Sequence, residues 1–217
     1  MPAISFVSWG RTRYADALAR QRELVDRRRG GEIGDTIVFT EHDPVITLGR
    51  RATKDHLLLS EEALRSRGFE VCETDRGGDI TLHNPGQLVV YPILDLRERR
   101  LRVGDYIRFL EEVMIRAARE FGVQAERRAG LTGVWVGDAK LGAIGIRVTH
   151  WISMHGIALN VANDLAPFEW IVPCGIAACK VASLVALLGK SVPMDRAHQT
   201  LERAFHEHLS RQHSGNY

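Results

Sequence analysis

Strand-forming runs come in clusters between helical segments of this 217-residue chain, and that order constrains its fold more than any single motif. Residues 3–9, 36–40, 45–48, 69–73 and 87–94 read as strands, as do 133–136, 140–148 and 151–159. Residues 36–40 and 45–48 flank His42-Asp43-Pro44, which predicts a turn between paired strands. A first helix is expected from Thr12 as cap to a stop at Gly30-Gly31, with Tyr14, Leu18, Gln21 and Val25 on one face. Ser60 with Glu61 and Glu62 opens a short helix that ends at Gly68. The clearest helix spans 106–121, capped by Asp105 and ended by Gly122, with Ile107, Leu110, Met114, Ala117 and Phe121 as its stripe. Helical material near 183–188 and a last helix over 194–210 close the chain. Strands and helices do not alternate strictly. The expectation is an α+β fold, a mixed β-sheet flanked by helices, rather than a doubly wound one.

Composition narrows the class. Residues 1–217 suit one compact domain, and 45% hydrophobic content supports a real core, which excludes global disorder. Three cysteines, Cys72, Cys174 and Cys179, are too few and odd in number for a disulfide framework, and they point to a reducing compartment. A net charge of +2 argues against a nucleic-acid binder. The densest basic run is Arg97, Arg99, Arg100 and Arg102, with smaller runs at 27–29 and 127–128. Such runs are usually solvated faces, and the alternative is docking of an acidic protein partner. The apolar run 3–9 is too short for a secretory leader. The run 88–94 contains Pro92 and falls far short of the roughly 20 residues of a membrane helix. A cytoplasmic protein, with no nucleic-acid or membrane partner, is expected.

Three segments carry candidate chemistry. Residues 76–87, Arg-Gly-Gly-Asp-Ile-Thr-Leu-His-Asn-Pro-Gly-Gln, place glycines and polar side chains directly before an apolar strand. Such a loop lets backbone amides approach a ligand, although a pair of ordinary β-turns explains it too. No Gly-Lys-Ser/Thr follows, so it is not a phosphate-binding loop. Cys174 lies between Pro173 and Gly175, where a kink would expose a thiol with following amides as oxyanion donors. The ordinary reading is a buried small hydrophobe. Cys179 makes a Cys-x4-Cys pair, but no further ligands at metal spacing accompany it, and His150 and His155 do not supply them. Lys140 is one of only four lysines among 29 basic residues. Unlike arginine, lysine can lose its proton when desolvated, and as an ammonium it would favour a nearby thiolate. A surface lysine at a strand end is the alternative.

Together these segments become specific. Residues 41–50 (Glu-His-Asp-Pro-Val-Ile-Thr-Leu-Gly-Arg), 76–87, 140–147, 155–160 and 172–176 resemble, in order and spacing, the signature blocks of the lipoyl(octanoyl) transferases. The family commonly has Thr-Ser where this chain reads Ala182-Ser183. The resemblance implies the fold of the biotin and lipoate protein ligases. It implies transfer of an octanoyl group from acyl carrier protein to a lysine of lipoyl domains, those of 2-oxoacid dehydrogenase E2 subunits and the glycine cleavage H protein. It further implies that Cys174 is the acyl-thioester nucleophile and that Lys140 depresses its pKa. Substrate would be bound by Arg76, Gly77, Gly78, Asp79, Ile80, Thr81, Leu82 and His83, by Ala143, Ile144 and Gly145, and by Gly156, Ile157 and Ala158. No metal or other cofactor is expected, and the enzyme would act as a monomer.

Aminolysis of a thioester needs a base for the acceptor ammonium. Lys140 is the first candidate and His83 the second. The rival readings are an ATP-dependent lipoate or biotin ligase of the same fold, which would not need Cys174, and a non-catalytic binding module. A cysteine protease with His83 or His155 as base is a third.

Overall fold

A computed structural model describes residues 4–175 and 179–211; the side chains of Cys174, Ser210 and Arg211 lie outside that description. The elements run β1 (Ser5–Thr12), α1 (Tyr14–Arg29), β2 (Thr36–His42), β3 (Val45–Leu48), α2 (Glu61–Ser66), β4 (Glu70–Glu73), β5 (Ile80–His83) and β6 (Gln87–Ile93). They continue as α3 (Val103–Glu120), β7 (Glu126–Arg128), β8 (Leu131–Val136), β9 (Ala139–Thr149) and β10 (Ile152–Asn160). Last come β11 (Lys180–Val181), α4 (Leu184–Leu188) and α5 (Met194–Arg211). Short 3-10 turns cover Lys54–His56, Ala166–Trp170 and Pro173–Gly175.

Among the described residues an eight-stranded sheet runs in the order β1-β2-β6-β10-β9-β8-β7, with β11 beside β9, and β4-β3-β5 form a smaller sheet. Both sheets are mixed. The β1/β2, β9/β11 and β3/β4 pairs are parallel, and the other pairs are antiparallel. The α+β expectation holds. The two runs around His42-Asp43-Pro44 do not pair with each other, contrary to the sequence reading. β2 ends in the large sheet and β3 begins the small one, so this short link passes between sheets.

Strand alternation explains the layers. Ile37, Phe39, Leu88, Val90, Ile157 and Leu159 face the side covered by α3 and α5, while Val38, Val89, Tyr91 and Ala158 face α1. With both faces covered, every residue of β6 is buried, which is why it reads as a continuous apolar run. On α3, Tyr106, Phe109, Leu110, Val113, Met114 and Ala117 recur at helical spacing and meet Ala197, Leu201 and Phe205 of α5. A leucine buried as fully as Leu110 or Leu201 contributes about 2–5 kcal/mol against truncation to alanine.

Two capping expectations fail. α1 is preceded by Arg13 rather than capped by Thr12, and α3 starts at Val103, which puts Asp105 in its first turn. Thr12 is held as the last residue of β1, paired with His42 of β2, so α1 starts after it, whereas α3 starts ahead of Asp105 and takes it into its first turn. Ser60 does cap α2, accepting the Ala63 amide at 3.2 Å. Gln21, fully buried on the apolar face of α1, accepts the backbone amide of His155 at 2.9 Å and so ties α1 to β10.

Candidate active site

The segment before β5 is the hub of the site. Arg76 is buried and spends its guanidinium on β3, donating from Nε and Nη2 to Thr47 Oγ1 and from Nη2 to the Thr47 carbonyl at 2.6 Å. Gly77 donates its amide to the Ile146 carbonyl of β9 at 2.8 Å. On the other side, the amides of Gly49, Arg50 and Arg51 donate to the carbonyls of Asp79, Arg76 and Gly78. The loop is therefore threaded between β3 and β9. A side chain at Gly49 would strike the Gly78 carbonyl at 2.5 Å, and one at Gly145 would press on Arg76 and Gly77 at 3.1 Å.

Beyond this hub the backbone becomes β5, so the stretch 76–87 is not all loop. Alternation then splits the predicted binding residues. Thr81 and His83 line an inner pocket, whereas Ile80 and Leu82 pack into the core of the small sheet with Ile46 and Leu64.

The other two predicted segments meet directly. In the β9/β10 pair, Gly145 lies opposite Gly156, Ile144 opposite Ile157 and Ala143 opposite Ala158. All six line the inner pocket, together with Arg76, Gly78 and Asp79. Tyr14, Val89, Tyr91 and His155 complete it, and it encloses about 470 Å³ including its open mouth. None of these four was singled out as a pocket residue from sequence.

The floor of this pocket holds buried histidines in their neutral forms. Burial, and then the neighbouring His42, pulls the His83 pKa down to about 3. The His83 Nδ1–H donates to Gln87 Oε1 at 2.6 Å, and its ring stacks on Tyr14. Burial likewise lowers His42 and His155 to about 4. His42 Nε2 bonds Tyr91 Oη at 2.5 Å, and His155 Nε2 bonds Asp75 Oδ1 at 2.7 Å. A base that weak is poorly matched to an ammonium near neutral pH, which disfavours both His83 and His155 as proton acceptors.

A second, wider cavity of about 1680 Å³, open to solvent, adjoins the first and shares Gly78, Asp79, Ile144 and Gly145 with it. Lys140 and Gly175 are on its wall, as are Gly77, Ile146, His56, Arg50 and Arg51. Lys140 is not a surface lysine: it is 6% exposed, and its Nζ lies 5.2 Å from the Trp135 ring centroid. The Cys174 backbone forms the turn Pro173–Gly175; Ile176, the end of the last matching block, lies outside the described residues. The chain returns at β11, where Val181 pairs with Lys140 and the Ala182 amide donates to the Lys140 carbonyl at 3.0 Å. Lys140 and the Cys174 turn thus belong to one short circuit of chain.

The remaining candidates separate. Cys72 sits on β4, where burial, Glu70 and Glu73 push its thiol pKa up and keep it protonated. Cys179 lines a different depression beside Val172 and Lys180. In the arginine run, Arg99 is pinned to buried Asp35 at 2.5 Å, alongside Arg28, and Arg97 stacks over Trp151. Among the described residues, no helix is long and apolar enough to cross a membrane.

Residues 13–206 match the family described as the lipoyl protein ligase A/B catalytic domain. A protein of Rubrobacter xylanophilus named octanoyltransferase is 48% identical over 205 residues, 92% of this chain and 90% of that protein. One of the same name from Acidobacterium capsulatum is 45% identical over 216 residues, 94% of this chain and 86% of that one. A solved bipartite lipoate protein ligase with its E2 lipoyl domain, from Thermoplasma acidophilum, superposes with a TM-score of 0.75 at 17% identity, covering 97% of this chain and 85% of that one. The biotin protein ligase of Aquifex aeolicus gives 0.55 at 11% identity, covering 100% and 73%. The fold is that of the biotin and lipoate protein ligases.

Proposed function

The chain belongs to the lipoyl protein ligase A/B catalytic domain family and is an octanoyl-transferring acyltransferase, and from that premise we propose a two-step route through Cys174. The donor is octanoyl-acyl carrier protein. Its thioester exchanges onto the Cys174 sulfur, and a lipoyl-domain lysine then takes the octanoyl group as an amide.

The observation that carries this reading is the confluence of the two cavities at Gly78, Asp79, Ile144 and Gly145, beside the Cys174 turn and buried Lys140. A sheet-walled pocket with a mostly apolar lining suits a small apolar chain, and the open cavity suits the arms of two protein substrates. Energetics agree. Thioester exchange is nearly balanced, and aminolysis of a thioester runs downhill, so the route needs no separate activation of the acyl group. Lys140 takes the thiol proton and passes it to the departing carrier thiol. In the second step, neutral Lys140 takes a proton from the acceptor amine and returns it to the Cys174 sulfur. Enclosure of the acyl group protects the thioester from water. The whole chain acts as one catalytic unit, a cytoplasmic monomer.

Mass spectrometry after incubation with octanoyl-acyl carrier protein tests this. An octanoyl adduct on Cys174, discharged by a lipoyl domain and absent from Cys174→Ser as a thioester, is expected. No adduct, or one on Cys72 or Cys179, overturns the route.

A further inference from the structure

Proton bookkeeping leaves one group unassigned. An acceptor ammonium carries three N–H bonds and the product amide keeps one. Of the two protons released, one passes through Lys140 to the Cys174 sulfur as the C–S bond breaks. The other leaves as the C–N bond forms, and it needs an acceptor at the open cavity.

We propose that His56, oriented by Asp79, takes this second proton and hands it to solvent. The inference rests on the thioester route above. His56 ends the 3-10 turn Lys54–His56, lies on the wall of the open cavity with Lys140 and Gly175, and keeps 29% of its side chain exposed. Its Nδ1–H donates to Asp79 Oδ2 at 2.6 Å, while Asp79 Oδ1 accepts the Ile80 amide at 2.8 Å. That bond fixes the tautomer and presents Nε2 as the acceptor, and no described residue hydrogen-bonds Nε2. A carboxylate that orients an imidazole in this way also stabilises the imidazolium formed when it takes a proton.

The pair is built onto the nucleophile's own turn. The Val172 amide donates to the His56 carbonyl at 2.8 Å, and Leu57 bridges to Ile171. At Gly175, with φ +68°, a β-carbon would lie 2.7 Å from Asp79 Oδ2 and 3.3 Å from His56 Cε1. Glycine at this position therefore lets the turn close over the pair. The charged groups sharing the cavity are Asp79 from the loop, Lys140 from β9, and Arg50 and Arg51 after β3. The buried histidines of the inner pocket lack this exposure.

The test separates the two half-reactions in the full chain. Octanoyl-enzyme is formed from octanoyl-acyl carrier protein and isolated, then mixed with a lipoyl domain while discharge is followed by intact mass between pH 6.5 and 9. His56→Asn keeps an N–H donor for Asp79 but cannot take the proton. Its loading should stay within about twofold of the unsubstituted chain, with discharge about 10²-fold slower near neutral pH. The gap should narrow as pH rises, and added imidazole should restore part of the rate. Discharge within twofold at every pH, or loading slowed as much as discharge, overturns the proposal. If His56→Asn does not fold, His56→Gln is held to the same criteria. An unsubstituted chain that forms no adduct on Cys174 instead overturns the thioester route, so the two failures are distinguishable.

Discussion

The inner pocket and the outer cavity share four residues but are made of different material. The inner pocket is walled by paired strands, with Ala143–Gly145 set against Gly156–Ala158 and closed below by β6 and α1. The outer cavity has strand on one side only, Leu131 and Thr132 of β8 with Lys140, Ile144, Gly145 and Ile146 of β9, and on the other side loops and 3-10 turns tied by single hydrogen bonds such as Val172 to His56 and Gly77 to Ile146. A sheet fixes shape and excludes water, so it suits recognition of an apolar chain. Turns present backbone and side chains to partners from solution, so they suit chemistry between two proteins. Lys140 lies where strand and turn meet: it is carried on β9, as Ile144 and Gly145 are, and faces the cavity that the Cys174 turn closes from the other side.

The sharpest way to break this division is at that junction. Arginine at position 140 keeps the positive charge and cannot act as a base. Lys140→Arg is therefore expected to lower the overall transfer rate by about 10²–10⁴-fold, measured by single-turnover mass spectrometry. If both half-reactions ran within about threefold of the unsubstituted chain, Lys140 would be only an electrostatic partner, and the proton route would lie elsewhere.

Next in size is the inner wall. Ala143→Leu adds bulk where Ala143 faces Ala158. Loading with octanoyl should fall by about 10–200-fold, and loading with a butanoyl group should fall much less. Equal losses for both chain lengths would mean that the sheet-walled pocket does not hold the acyl chain.

How far these regions are legible in sequence follows the same division. Strand alternation and β-rich runs revealed most of the large sheet, and the resemblance of short blocks picked out residues 143–145 and 156–158, which the sheet then places opposite one another. The link at His42-Asp43-Pro44 misled because a turn signal cannot say which sheet receives the next strand. Ile80 and Leu82 were counted with the loop because four residues of strand between glycines and proline carry little periodicity of their own. Tyr14 and Tyr91 were hidden as ordinary core aromatics. His56 had no signal at all: its partners Asp79, Val172 and Gly175 are distant in sequence, and only the folded turns bring them to it.

A third prediction concerns the buried histidines, His83 and His155 on the inner pocket and His42 packed behind His83. His42, His83 and His155 are held neutral in the fold, with pKa values of about 4, 3 and 4, against about 6.5 when unfolded. Because the folded values are depressed, the unfolded chain binds more protons below pH 6.5. Their stabilisation is complete above that pH and is lost progressively as pH falls toward 4. Thermal unfolding midpoints should therefore decline across this window, and unfolding at pH 5 should be accompanied by the uptake of about three protons by these groups. A flat midpoint between pH 6.5 and 4.5 would show that these sites are wet and their histidines titrate normally. Among the described residues His56 is the histidine on the open cavity, and it is partly exposed, so this acid sensitivity belongs to the inner region.

The smallest effect expected lies at the outer rim. Arg50 and Arg51 are exposed on the open cavity; in the denser run Arg99 is held against buried Asp35, whereas Arg97, which stacks over Trp151, and Arg100 and Arg102 are exposed away from that cavity. A carrier whose arm enters the open cavity would thus meet the rim pair there rather than the densest run of arginines. Charges at a rim act mainly on encounter, and their effect is screened by salt. Arg50→Ser should raise the KM for octanoyl-acyl carrier protein by about 2–10-fold at low ionic strength, leave kcat nearly unchanged, and lose most of its effect at 0.5 M salt. Arg99→Ser should instead lower the unfolding temperature, since it leaves Asp35 with one fewer buried partner. If Arg99→Ser shifted KM and Arg50→Ser did not, carrier docking would belong to the sheet side of the molecule, and the outer cavity would serve the acceptor alone.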